Sequence, residues 1–130
     1  MKIFIGQAVT GQDMNSLRKE IEGIYSALIF AGHKPYSTLN EKDDKFNKKG
    51  KWLFHAFQII DKNDAFLAIV RSEHRSEGLL IEIGYTLSKN KKFILAINKD
   101  VKNTYLRDVA DKVIEYKDFD DLIKQLKKLK

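Results

Sequence analysis

Residues 2–6, KIFIG, form a short apolar run closed by glycine, the pattern of a buried strand that ends in a turn. From about Asp13 to Ala31 the apolar positions Leu17, Ile21, Ile24, Tyr25, Leu28 and Ile29 recur at three- and four-residue steps, with Gly32 just beyond. That spacing and that glycine predict an amphipathic helix with a C-terminal cap. A brief strand is expected near Lys34 to Ser37, followed by a polar stretch over 38–50 long enough to act as a lid. KWLFHAFQIIDKND carries one apolar face and reads as a helix, and AFLAIV reads as a strand buried on both sides. A helix over Glu77 to Asn90, a strand over Lys92 to Ile97, a helix over 102–111, a short strand over Val113 to Tyr116 and a closing helix over Phe119 to Leu129 complete the pattern.

Alternating strands and helices, with strands apolar on both faces, predict an α/β fold in one domain spanning 1–130. The expected architecture is a flavodoxin-like or Rossmann-like three-layer sandwich around a five-stranded, mainly parallel sheet. Ligands in such sheets bind beyond the carboxyl ends of the strands, where the strand order reverses. The loops GQAVTG, RSEHRSEG and NKDVKNT therefore matter most. Their glycines do not follow the GxGxxG spacing, so a dinucleotide site is not indicated.

With 24 Lys and Arg against 18 Asp and Glu, the formal charge is +6, which draws anions at long range without choosing one. The basic residues gather in EKDDKFNKKGK, where acids interleave, and in DDLIKQLKKLK, whose lysines read as a solvated helix face. Neither a nucleic-acid-binding motif nor an aromatic stacking platform accompanies them, so nucleic acid is not the expected partner. There is no Cys, and the three His show no HxH or HxxxH spacing. Neither disulfides nor a metal centre is expected. The chain opens into KIFIG without a basic leader, and no run approaches the length of a membrane span. A cytoplasmic location, away from membranes, is the expectation.

SEGLLIEIGY, residues 76–85, places a carboxylate, Glu82, inside an apolar run. Ser76 reads as an N-cap, and with the free amides of the first turn it can hold a phosphate or carboxylate or can serve only to cap the helix. Arg71, His74 and Arg75 in the preceding loop add donors toward an anion. Gly78 and Glu82 stand four apart on one helical face, so the missing side chain leaves room in front of the carboxylate. On the wheel Leu79, Leu80, Ile83 and Leu87 make the buried stripe, with Glu82 at its edge beside Gly78 and Tyr85. The carboxylate is then either solvated at a boundary or turned into a cleft.

As a pattern, S-E-G-L-L-I-E-I-G-Y resembles the S-x-G-x-x-x-E-x-G motif of the nucleoside 2-deoxyribosyltransferase superfamily, which includes the 2′-deoxynucleoside 5′-phosphate N-hydrolases. The likeness extends to KIFIG-Q-A, to I-x-x-x-D from Ile60 to Asp64 and to the order of elements, covering most of the chain. It implies that Glu82 is the nucleophile, attacking the anomeric carbon of the sugar. Ser76 and Gly78 would hold a 5′-phosphate, and Gly6 and Gln7 would line the sugar. The implied substrate is a small nucleoside or nucleotide, with no metal or organic cofactor. Hydrolysis and base exchange both stay open, as does a non-catalytic nucleotide-binding module that keeps the pocket.

Members of the superfamily carry a first-strand tyrosine that bonds the nucleophile, and Ile3 stands at that position here, with Phe4 beside it. They also carry an aspartate eight residues before the one that begins the next strand; counting back from Asp64 gives Ala56. Tyr85 and His55 are the candidates to compensate, the first as a hydrogen-bond donor and the second as an acid toward the departing base. Each also reads as a packing residue. Asp64 reads as structural. The resemblance brings a polar residue of a neighbouring subunit to the site from the loop NKDVKNTYL, matched here by Asn103 or Thr104, and so implies a homodimer. Trp52, Phe54, Phe57 and Tyr85 are candidates for its face or for a larger internal core.

Overall fold

The computed structural model describes residues 1–8, 12–42 and 44–130. Its elements in chain order are β1 (Lys2–Gln7), α1 (Met14–Phe30), β2 (Lys34–Tyr36), a 3-10 turn (Thr38–Asn40), α2 (Lys49–Lys62), β3 (Ala65–Val70), α3 (Glu77–Ser88), β4 (Lys92–Asn98), α4 (Leu106–Val109), β5 (Lys112–Tyr116) and α5 (Phe119–Leu126). The sheet order is β2-β1-β3-β4-β5, and every neighbouring pair is parallel. This is the flavodoxin-like α/β sandwich, with its order reversing between β1 and β3.

Alternation along each central strand divides the core into two layers. Ile3 and Ile5 of β1, Leu67 and Ile69 of β3 and Ile94 of β4 pack with Ile24 and Leu28 of α1 and Leu122 and Leu126 of α5. Phe4, Phe66, Phe93 and Leu95 turn to the opposite face, against Ala56 and Ile60 of α2 and Leu79 and Ile83 of α3. Because both faces are covered, the strands need apolar residues at every position, which is why AFLAIV carries no polar side chain.

Helix ends follow local chemistry. Asp13 caps α1, accepting from the Asn15 amide at 3.3 Å. At its other end Gly32 takes φ 91°, and the His33 amide reaches back to Leu28 O at 2.9 Å. That left-handed closure favours glycine. α2 begins at Lys49, two residues ahead of the KWLFHAF run that announced it. α3 ends at Ser88, and Asn90 turns left-handed at φ 55° just beyond. The helix expected over 102–111 is only the single turn Leu106–Val109. Tyr105, 85% exposed, and Val109, 43% exposed, face outward, so no continuous apolar stripe supports a longer helix there. The stretch expected as a lid begins with the 3-10 turn, which Ser37 caps by accepting from Leu39 N at 3.1 Å. No described helix is long and apolar enough to cross a membrane.

Candidate active site

A cleft of about 780 Å³ opens on the side of the sheet that carries α2 and α3, beside the carboxyl end of β1. Its lining joins Phe4 to Ala8 of β1 and its end, Met14 at the start of α1, Ser37 to Leu39, one face of α2, and, around the start of α3, His74 to Leu79 with Ile81 and Glu82. The volume lies within the range of small-ligand sites.

From α2 the residues Lys49, Trp52, Leu53 and Ala56 line the cleft. The steps of three, four and seven make them one helical face. His55 lies off that face and does not reach the cleft. Its Nε2 donates to both carboxylate oxygens of Glu41 at 2.9 Å, and its ring packs 5.2 Å from that of Phe46. Glu41 also receives Tyr36 Oη at 2.8 Å and Lys45 Nζ at 2.5 Å. Burial pushes the Glu41 carboxyl up, but hydrogen bonds from Lys45, His55 and Tyr36 outweigh it and hold the group at about 2. His55 therefore belongs to a polar hub that pins the segment after β2 against α2.

From α3, Ser76, Gly78 and Glu82 face the same cleft. Ser76 is the N-cap, its Oγ accepting from Leu79 N at 3.3 Å. A Cβ built on Gly78 would meet nothing within 4 Å, so that position is open space rather than a packing requirement. Glu82 is half-buried, and its carboxylate takes no hydrogen bond or ion pair from any described residue. Burial pushes it up to about 7. The favourable end of the α3 dipole does not offset that push, since such effects fade beyond the first turn. The buried stripe of α3 is Leu79, Ile83 and Thr86, not the expected set with Leu80, which is 40% exposed. Thr86 is accommodated because its hydroxyl donates to Glu82 O at 2.8 Å.

Tyr85 does not reach Glu82. Its hydroxyl donates to Asp61 Oδ1 at 2.8 Å, and its ring stacks on Phe57 with centroids 4.1 Å apart. Ile3 is fully buried in the opposite layer and does not line the cleft, whereas Phe4, Ile5 and Gln7 of β1 do. Gly6 lines the cleft too, but packing alone also demands it: a Cβ there would lie 2.3 Å from Cζ of Phe66. Gln7 Oε1 accepts from Arg71 Nη2 at 2.5 Å, while Arg71 is also paired with Glu20 on α1.

Asn103 and Thr104 do not line the cleft but a smaller, adjoining hollow of about 70 Å³, which shares Arg75 and Ser76 with it. Asn103 contributes its carbonyl oxygen to Arg75 Nη2 at 3.0 Å, and Thr104 Oγ1 accepts from Leu106 N at 3.2 Å. Among the described residues no group of three or more His, Asp or Glu is placed to hold a metal ion.

Lys49 was not legible as a cleft residue, since the sequence pattern started α2 two positions too late. Trp52, weighed only as an interface or core residue, faces the cleft as well. The i, i+3, i+4, i+7 spacing from Lys49 to Ala56 is the signal that finds them.

The fold class defined by this sheet is shared with several solved structures. A CMP N-glycosidase, BcmB, from Clostridium botulinum superposes with a TM-score of 0.70 at 21% identity, covering 97% of both chains. A 2-deoxyribosyltransferase from Bacillus psychrosaccharolyticus superposes with a TM-score of 0.66 at 18% identity, covering 97% of this chain and 96% of the other. The flavodoxin-like domain of a Synechococcus protein matches more distantly, with a TM-score of 0.53 at 9% identity over 97% of this chain and 94% of the other. No protein-family model matches the sequence, and no curated protein matches it. At these identities the likeness is one of fold.

Proposed function

We propose that this chain is a member of the nucleoside 2-deoxyribosyltransferase superfamily that cleaves or exchanges the N-glycosidic bond of a nucleoside 5′-monophosphate, with Glu82 as nucleophile. The observation that carries this reading is the shared cleft: Glu82, unpartnered and half-buried, faces the same space as the Ser76 cap and the open position at Gly78. Breaking the bond builds positive charge on the sugar. A carboxylate about 4 Å away, at an effective dielectric near 20, is worth about 4 kcal/mol, approaching a thousandfold in rate. Attack of the Glu82 carboxylate on C1′ expels the base, and water or a second base then releases the sugar from the enzyme. The Ser76 cap, the first-turn amides of α3 and the nearby Arg75 favour a phosphate at the other end of the sugar. The two glycosyl-transforming neighbours, one of them named for CMP, support the same chemistry. The reading includes a homodimer in which the partner subunit's Asn103 or the partner subunit's Thr104 approaches the site.

The deciding experiment incubates the protein with the common nucleosides and their 5′-monophosphates, cytidine monophosphate first, and follows free base by chromatography. Base release that disappears in Glu82→Ala is expected. Unchanged substrates throughout, or full activity in that variant, would overturn the reading.

A second reading is a nucleotide-binding module without chemistry. What favours it is that no described side chain donates to Glu82 and that Ala56 stands where an acid is expected. It predicts calorimetric binding of a monophosphate with no turnover.

A further inference from the structure

We propose that Lys49 stabilises the departing base, doing from the first turn of α2 what no acid at position 56 can do; this rests on the glycosidic reading above. Expelling a base from C1′ leaves the electron pair of the broken bond on the base, so the site needs a donor or a cation where the base leaves. Among the described residues lining the cleft, only Lys49, His74 and Arg75 carry cationic or titratable nitrogen. His74 and Arg75 belong to the loop that leads into Ser76, and Arg75 is already bonded to Asn103 O at 3.0 Å. Lys49 stands apart from them on the cleft face of α2, the face that also presents Ala56. Its side chain has no hydrogen-bond or ion-pair partner among the described residues, so its ammonium is uncommitted. Beside it on that face are Trp52 and Leu53, apolar surface suited to a planar ring.

The step balances without a cofactor. Glu82 forms a bond to C1′ as the C1′–N bond breaks, and the base leaves as an anion hydrogen-bonded by the Lys49 ammonium. Water then adds its hydroxide to C1′, its proton goes to the base, and the Glu82 carboxylate is regenerated.

Leaving-group dependence tests this. The nucleotide selected by the substrate panel is compared with its ring-fluorinated analogue, whose base departs more easily, in the unmodified protein, Lys49→Met and Lys49→Arg. We expect Lys49→Met to lose about a hundredfold in kcat on the parent nucleotide, markedly less on the fluorinated one, and Lys49→Arg to recover most of the loss. Equal losses on both nucleotides, or no loss, overturn the role of Lys49 while leaving the glycosidic reading intact. A loss confined to phosphorylated substrates and expressed in KM puts the ammonium at the phosphate and overturns it as well. If the unmodified protein releases no base from any member of the panel, the glycosidic reading itself falls, and the role of Lys49 with it.

Discussion

Lys2 and Asp64 are joined by two hydrogen bonds: the Lys2 amide donates to Asp64 Oδ2 at 2.8 Å, and the Asp64 amide donates to Lys2 O at 2.9 Å. They fix the start of β1 against the start of β3, and β1 then runs in register from Ile3 opposite Ala65 to Gln7 opposite Ile69. The contact lies at the amino ends of the strands, away from the cleft. Asp64→Ala should therefore cost about 1 kcal/mol of stability and leave nucleotide affinity unchanged, as read by urea unfolding and calorimetry. Loss of affinity in a folded variant would give Asp64 a part in the site.

Glu82 makes stability depend on pH. Its carboxyl is raised from 4.5 to about 7 by burial, so across that window the folded chain keeps a proton that the unfolded chain has released. Stability therefore falls as pH rises through the window and levels off above it. Glu82→Gln should gain on the order of 2–3 kcal/mol at pH 8 and nothing at pH 4, measured by urea denaturation. In the active protein kcat/KM should rise with pH through about 7 as the nucleophile ionises.

Glu41 acts in the opposite sense. Against the upward push of burial, Lys45, His55 and Tyr36 hold its carboxyl at about 2, below the ordinary 4.5. The stability it contributes is present above pH 4.5 and is lost as pH falls toward 2. Glu41→Gln should lower stability at pH 7 by up to about 3 kcal/mol and flatten the acid limb of the unfolding profile. A variant that keeps the steep acid limb would place its cause elsewhere.

Gly78 and Gly6 separate binding from folding. Alanine at Gly78 meets nothing within 4 Å and suits a helix better, so Gly78→Ala should gain about 0.5–1 kcal/mol while weakening nucleotide binding at least tenfold. At Gly6 the added Cβ collides with the Phe66 ring at 2.3 Å, and Gly6→Ala should cost about 1–3 kcal/mol. Melting temperatures and calorimetry on the pair check both.

The architecture was legible because buried parallel strands leave a plain sequence trace: KIFI, AFLAIV and FILAIN need no polar face, and glycine or asparagine stops the helices between them. Glu82, Ser76 and Gly78 were legible for a different reason, as three spaced positions of one helix that must share a side. The roles weighed for His55 and Tyr85 depended on contacts between elements, and no periodicity reports that Glu41 takes the imidazole or Asp61 the phenol. The lid expectation read polarity in residues 38–50; that Ser37 and Glu41 tie the first part of that stretch by hydrogen bonds is something local composition does not reveal.

The ring of Phe66 beneath Gly6 has a consequence for how this fold can change its ligand. One wall of the hollow is the backside of the sheet's own packing and cannot be recontoured without disturbing the strands. On the facing wall Trp52 and Leu53 stand outside the buried core, so altered preference for one base over another is free to arise there by single substitutions while the scaffold stays as it is.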